Sequence, residues 1–274
     1  MEKIIGPAGS ECYRISHKSG AEVTIARHGG HLISWKTADG CERFYLSPTA
    51  DFSTGKAIRG GVPVIFPQFN HYGPFSRHGF ARNINWLPDP DNGAMQLKST
   101  PETLAEWPHP FEISIRPVLA ASTLEIEFTV TNPGPESFPF QAALHTYFRI
   151  QDIENTTISG LQGQTFHDEL TGKTTIAGDF PITLGSETDR AYFGGAVGSI
   201  QLHDQQTIVT VESDSFVDAV IWNPGPDHGI GDLPEDGWQQ FVCIESARIR
   251  PEVTLDPGNS WRGVQRLSCS YLAP

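Results

Sequence analysis

Hydrophobic and polar residues alternate along most of this chain. In residues 124–131, the apolar side chains fall on one face of an extended strand, and Glu and Thr side chains fall on the other. Convincing helical periodicity is missing from the sequence. The alternation predicts a protein made of many short strands, and it recurs in eight further segments: 21–26, 31–36, 111–119, 140–149, 207–213, 217–222, 240–246 and 252–256.

Turn residues separate these predicted strands. The chain has 27 Gly and 21 Pro, which is high and divides the sequence into short pieces. Strands at this spacing, without alternating helices, favour an antiparallel sandwich or barrel over a parallel sheet. We therefore predict a single all-β domain over residues 1–274. The turn signals stand at Asp39-Gly40, 91–93, 132–134, Gly172 and 256–258.

The overall charge restricts the partners of this protein. It carries 32 Asp and Glu against 19 Lys and Arg, a net charge of −13, which repels polyanions and argues against nucleic acid. We find no segment of membrane-spanning length and no secretion signal at the N-terminus, so we expect no membrane partner. The four cysteines are scattered, and we interpret them as reduced core thiols of a cytoplasmic protein.

Residues 52–88 contain no Asp or Glu, although composition alone would place roughly four there. This segment instead carries Lys56, Arg59, His71, Arg77, His78 and Arg82, interleaved with Phe and other aromatic residues. The pattern predicts a locally cationic, aromatic-lined surface suited to a small anionic or hydroxylated ligand. An ordinary buried loop is the alternative interpretation.

Three predicted segments place an ionisable side chain among apolar ones. Alternation in residues 140–149 puts His145 on the face opposite the core positions, where it is free to line a cleft. Glu245 lies on a partly apolar face of its predicted strand. Such surroundings favour the neutral carboxyl, so the carboxylate becomes a stronger base. His78 and Arg82 share a face if their segment is extended. Each residue alone is equally consistent with a structural role.

Together these segments resemble the aldose 1-epimerase superfamily, and within it the glucose-6-phosphate 1-epimerase branch. The resemblance implies a galactose mutarotase-like β-supersandwich with a shallow sugar cleft on one sheet. It implies an isomerase that interconverts the α and β anomers of a hexose 6-phosphate, with no cofactor and no metal. The matching blocks follow one another in order over nearly the whole chain: 59–67, 78–83 with Trp86, 143–148, 160–163, 187–190, 220–224, 240–245 and 253–258.

The resemblance assigns the chemistry to two residues. His145 matches the general acid and Glu245 the general base, and we expect them on opposite sides of the C1–O5 bond. The base takes the proton from the C1 hydroxyl while the acid protonates the ring oxygen, so the hemiacetal opens and recloses. We expect Trp86, Trp222 or Phe69 to form a platform beneath the sugar ring.

The resemblance also assigns substrate-binding residues. Asp189 matches the acid that holds sugar hydroxyls, and His78 matches a second histidine of the site. Arg59 and Arg82 match the arginines that contact the sugar or its 6-phosphate. Arg77 departs from the family pattern, in which Gln or a small residue is more usual. It adds a third guanidinium where phosphate specificity would be decided, either strengthening anion binding or shifting the preferred substrate.

Three other functions remain open at this point. The chain could be an aldose 1-epimerase acting on free sugars, a non-catalytic carbohydrate-binding protein on the same scaffold, or a retaining glycosidase that pairs Glu245 with another acid. The loop over residues 223–237 could be a lid or a passive connection. We expect a hexose phosphate or hexose as the small-molecule partner, and a monomer or weak dimer.

Overall fold

A computed structural model describes residues 1–194 and 198–272 of the chain, which fold almost entirely into antiparallel strands. One short α-helix, α1 (Pro101–Glu106), begins at the capping residue Thr100, and 3₁₀ turns occur at Pro7–Gly9, Ala81–Asn83 and Gly237–Gln240. The strands in the described residues are β1 (Glu2–Ile5), β2 (Glu11–Ser16), β3 (Glu22–Ala26), β4 (His31–Lys36), β5 (Val64–Ile65), β6 (Leu87–Asp89), β7 (Ala94–Lys98), β8 (Glu112–Leu119), β9 (Thr123–Thr131), β10 (Phe138–Leu144), β11 (Tyr147–Arg149), β12 (Thr157–Ser159), β13 (Thr165–Asp168), β14 (Lys173–Ile176), β15 (Ile182–Thr183), β16 (Thr188–Tyr192), β17 (Ile200–Asp204), β18 (Thr207–Asp214), β19 (Asp218–Asn223), β20 (Phe241–Leu255) and β21 (Ser260–Tyr271).

The strands form three sheets. Strands β1 to β4 follow one another in a four-stranded sheet. The second sheet runs β14-β13-β16-β19-β20-β10-β5, with β11 also paired to β20. The third runs β15-β12-β17-β18-β21-β9-β8-β7-β6. We call the second the site sheet and the third the back sheet.

The core lies between the site sheet and the back sheet. Phe140 in β10 and Trp261 in β21 contact each other with ring centroids 5.6 Å apart, and Phe66 lies 6.3 Å from Phe128 in β9. These edge-on aromatic contacts join the two sheets as in other face-packed sandwiches. The opposite face of the site sheet carries small side chains, among them Ala143, Ala191 and Val220. Small residues at these positions leave a depression on that face.

The observed strands confirm all nine predicted segments but correct two boundaries. Residues 240–246 and 252–256 belong to one continuous strand, β20. Residues 140–149 are divided, because β10 ends at Leu144 and β11 begins at Tyr147. Whether all three sheets form a single domain stays a prediction.

The cysteine prediction is corrected at one position. Cys12, Cys243 and Cys269 are buried free thiols, as expected, but Cys41 is exposed. None of the helices in residues 1–194 and 198–272 is both long and apolar enough to cross a membrane.

Candidate active site

A cleft of about 180 Å³ lies on the small-residue face of the site sheet. All seven predicted site residues line it, although they come from segments separated by up to 186 positions. Their individual roles stay predictions. The lining consists of Arg59, Arg77, His78, Arg82, His145, Asp189 and Glu245, together with Ala57, Phe69, Asn70, Glu169, Ala191, Val220, Trp222 and Ile230.

His145 and Glu245 face each other at the centre of this cleft. His145 stands in the break between β10 and β11, and its backbone N–H donates to the Pro63 carbonyl over 3.1 Å. Glu245 lies in the middle of β20, opposite Val220 of β19. The His145 Nε2 and Glu245 Oε1 atoms are 3.3 Å apart, and the two residues are only 8% and 2% exposed.

The residues that follow this pair are fixed to the back sheet. The Thr146 hydroxyl donates to Gln265 Oε1 over 2.7 Å, and Gln265 Nε2 donates to the Ser246 hydroxyl over 2.8 Å. Gln265 belongs to β21 and is fully buried. One amide therefore holds the chain immediately after both His145 and Glu245, and we call this chain of bonds the Gln265 bridge.

Burial determines the charge of the His145–Glu245 pair. Desolvation raises the pKa of Glu245 well above its usual value, and the nearby Asp189 raises it further. Desolvation lowers the pKa of His145 well below its usual value, and Arg82 and Arg59 add to the effect. Both shifts favour the neutral forms, a protonated carboxyl and an unprotonated imidazole. Within the described residues, Glu245 Oε2 and His145 Nδ1 are buried without a hydrogen-bond partner.

Arg59 already binds two other side chains, Asp232 and Tyr147. Its Nε donates to Asp232 Oδ1 over 3.1 Å, and its Nη1 donates to the Tyr147 hydroxyl over 3.1 Å. Tyr147 in turn stacks on the His145 ring with centroids 5.0 Å apart. Asp232 belongs to the loop 223–237, which is anchored by the buried Leu233. Sequence reasoning missed Asp232, because its contact with Arg59 spans 173 positions.

Arg77 and Arg82 lack a carboxylate partner within the described residues. Arg82 Nη2 contacts the Arg77 carbonyl over 3.4 Å, and burial lowers the pKa of Arg82 to about 10, which leaves it charged at neutral pH. Arg77 is exposed, and its Nε donates to Asn70 Oδ1 over 3.0 Å. Two uncompensated guanidinium groups thus border the cleft, an arrangement typical of an anion site.

His78 reaches the cleft by a different backbone path from the one predicted. His78 and Gly79 have φ values of 64° and 65°, and a 3₁₀ turn over Ala81–Asn83 follows. The segment 78–82 is therefore not extended, and the predicted shared strand face of His78 and Arg82 is wrong. A Cβ at Gly79 would lie 2.1 Å from the Phe66 carbonyl oxygen, so this turn needs glycine. The His78 ring is 5.9 Å from that of His145.

Two further acids, Asp189 and Glu169, line the cleft. Burial raises the pKa of Asp189 to about 7, and Glu169 contributes to the shift. The Glu169 backbone N–H donates to the Asp189 carbonyl over 2.9 Å, and its side chain accepts a hydrogen bond from the Tyr72 hydroxyl. Sequence reasoning missed Glu169 because it stands in a turn after β13, outside any strand pattern.

Two of the three expected platform aromatics lie in the cleft. Trp222 and Phe69 line it, and the Trp222 ring meets the His145 ring edge-on at 5.7 Å. Trp86 does not: it is fully buried in the core, and its Nε1 donates to the Ala81 carbonyl over 2.9 Å. The expectation for Trp86 is therefore wrong.

Comparison with known proteins assigns a class to this fold and cleft. Residues 11–268 match the family described as Aldose 1-epimerase. The protein is therefore a sugar isomerase of the mutarotase type, as the sequence motifs predicted. Because the match covers most of the chain, the chain belongs to the aldose 1-epimerase family.

Individual relatives agree with this class. A Cenchrus ciliaris protein, named as a candidate glucose-6-phosphate 1-epimerase, is 34% identical over 290 residues, covering 97% of this chain and 87% of its own. An Escherichia coli K12 protein with the same name is 36% identical over 243 residues, covering 82% and 79%. The crystal structure of a candidate mutarotase from Salmonella typhimurium superposes with a TM-score of 0.86 at 31% identity, covering 96% and 91%. The predicted antiparallel, mutarotase-like β-sandwich is thereby confirmed.

Proposed function

We propose that this isomerase interconverts the α and β anomers of a hexose 6-phosphate. The observation that carries the proposal is the position of Arg77 and Arg82, which border the cleft that holds the His145–Glu245 pair without a carboxylate of their own. The names of the Cenchrus and Escherichia coli relatives point to the same substrate class. A phosphate dianion suits two guanidinium forks, whereas a neutral sugar needs neither.

The His145–Glu245 pair supplies what ring opening needs. With both groups neutral, the pair holds one transferable proton, and moving it from the carboxyl to the imidazole gives the carboxylate base and imidazolium acid. Glu245 then takes the proton from O1 while His145 Nε2 gives one to O5. The C1–O5 bond breaks and C1=O1 forms, the free aldehyde rotates, and the reverse steps close the ring. Atoms and charge balance without a redox step.

The spacing of the pair differs from our expectation that the two groups stand on opposite sides of the C1–O5 bond. A separation of 3.3 Å leaves no room for a ring between them. O1 and O5 are both bonded to C1, so adjacent groups reach both oxygens from one edge of the sugar. We therefore propose that the C1–O5 edge lies against His145 and Glu245 together.

The remaining groups hold the sugar away from C1, which has to turn. We propose that Asp189 and Glu169 accept hydrogen bonds from ring hydroxyls and that Trp222 packs against the ring. The guanidinium groups of Arg77 and Arg82 bind the phosphate at the far end. Arg59, engaged by Asp232 and Tyr147, fixes the loop over residues 223–237 and adds positive field to the cleft.

Replacing Arg82 tests the phosphate site. Arg82→Gln should lower kcat/KM for glucose 6-phosphate by about 10–100-fold, the loss typical of a hydrogen-bonded charge pair. The rate with free glucose should change by less than about threefold, since no phosphate is present. Anomer-resolved NMR measures both rates. Arg262→Gln, an exposed arginine on β21, is the control, and equal losses on both sugars would reject the proposal.

Replacing Asp189 tests the electrostatics of the base. Because Asp189 raises the pKa of Glu245, Asp189→Asn should lower that pKa. The mechanism needs the one proton that the His145–Glu245 pair holds, and this proton is lost as pH rises through the pKa of Glu245, so kcat/KM falls there. The alkaline limb of the pH profile should therefore move to lower pH in the variant. Profiles of parent and variant on the same substrate check this, and a limb that moves upward contradicts it.

A further inference from the structure

Asn70 occupies the centre of a small hydrogen-bond network beside the cleft. Its Oδ1 accepts from Arg77 Nε over 3.0 Å, and its backbone N–H donates to His78 Nδ1 over 3.3 Å. Its carbonyl accepts from Gln68 Nε2 over 3.0 Å and from the His78 backbone N–H over 3.2 Å. Asn70 has φ of 44°, a conformation that asparagine tolerates better than most residues.

The backbone contact of Asn70 defines the proton position on His78. A backbone N–H only donates, so His78 Nδ1 is the acceptor in this bond. The neutral imidazole therefore carries its proton on Nε2, which makes that nitrogen a donor. The ring lines the cleft 5.9 Å from His145, so the donor is available next to the reacting pair.

The side-chain contact of Asn70 directs the Arg77 guanidinium. An exposed arginine loses much rotamer freedom when it binds a ligand, and a bond that holds Nε in advance reduces that loss. With Nε engaged, Nη1 and Nη2 form a free fork for two oxygens of one anion.

The loop that carries this network is itself fixed. The side chain of buried Gln68 forms two hydrogen bonds with the Phe75 backbone. Its Oε1 accepts from the Phe75 N–H over 2.9 Å, and its Nε2 donates to the Phe75 carbonyl over 3.0 Å. Gln141 of β10 accepts from the Phe69 backbone N–H over 2.8 Å and donates to the Tyr72 carbonyl over 3.2 Å. Two buried amides thus hold the loop against the site sheet, so Asn70 has a defined position.

We propose that Asn70 is a positioning residue that sets Arg77 for the phosphate of the substrate and fixes the donor nitrogen of His78. This inference rests on the proposed function, because it requires a phosphorylated hexose. It makes the Asn70–Arg77 pair a determinant of phosphate selectivity in this chain.

The variant Asn70→Gly isolates the side-chain contact. Glycine adopts positive φ without strain and keeps the backbone N–H to His78, so the variant loses the side chain with its Oδ1 acceptor and no backbone contact. KM for glucose 6-phosphate should rise about threefold to tenfold, the range of one hydrogen bond, while kcat stays within about twofold. The preference for glucose 6-phosphate over glucose should fall by the same factor. Asn92→Gly, at an exposed turn, is the matched control.

A double-mutant cycle separates positioning from a general disturbance. If Asn70 acts through Arg77, Asn70→Gly should have no further effect on KM in an Arg77→Ala background. Additive effects, or equal losses on glucose and glucose 6-phosphate, would overturn the inference. A parent enzyme that accelerates anomer exchange of glucose but not of glucose 6-phosphate would instead reject the proposed function. An unchanged KM in Asn70→Gly, with an active parent, rejects only the role of Asn70.

Discussion

Glu245→Gln should lower kcat for glucose 6-phosphate by about 10²–10⁴-fold, the contribution typical of one general acid–base group. The amide has the shape of the neutral carboxyl but cannot accept the proton from O1. KM should change little, because Arg77, Arg82 and Asp189 remain to hold the substrate. Polarimetry or exchange NMR starting from one pure anomer measures the loss directly.

The fold should survive this substitution. Glu245 is buried and has a raised pKa, so the folded state binds its proton more tightly than the unfolded chain does. Stability is therefore lost as pH rises from the unfolded pKa near 4.5 towards the raised folded pKa. Gln has no such penalty, and the Tm of the variant at pH 8 should equal or exceed that of the parent. Glu252→Gln, which replaces an exposed carboxylate on the same strand, is the control. Full activity in Glu245→Gln would show that Glu245 is not the general base.

His145→Gln should cause a loss of similar size, about 10²–10⁴-fold in kcat. The glutamine amide can occupy the imidazole position but cannot deliver a proton to O5 and take it back. The same exchange measurement checks this, with His17→Gln, in the turn after β2, as the control.

The double variant is the sharper test of this pair. Groups that act as one unit give losses far from additive. Glu245→Gln with His145→Gln should therefore be little slower than either single variant. Multiplied losses would instead mean that the two residues act independently.

The period-two pattern predicted the strands well, because alternation follows from one face being buried and the other solvated. It failed at β20, where the sequence suggested two strands divided near Pro251. Proline cannot donate to a sheet ladder, which makes a break the simpler expectation. The strand continues there because the pairing between β10 and β20 is already interrupted by a bulge near Gln141.

The site was predictable only in part. His145 and Glu245 could be found because each is an ionisable residue in an apolar segment of the sequence, and the motifs then supplied their roles. Asp232 and Glu169 could not, because both stand in turns that carry no periodic signal. Their contacts with Arg59 and Tyr72 depend on how distant loops meet after the sheets have packed.

The Gln265 bridge couples the chemistry to the packing of the whole molecule. A single side chain of the back sheet forms hydrogen bonds with the residues that follow the acid and the base. If the two layers slide against each other, the distance over which a proton must hop changes as well. The rigidity of the core therefore sets the distance between the reacting atoms. A less tightly packed interior would lower the turnover rate before it changed the overall fold.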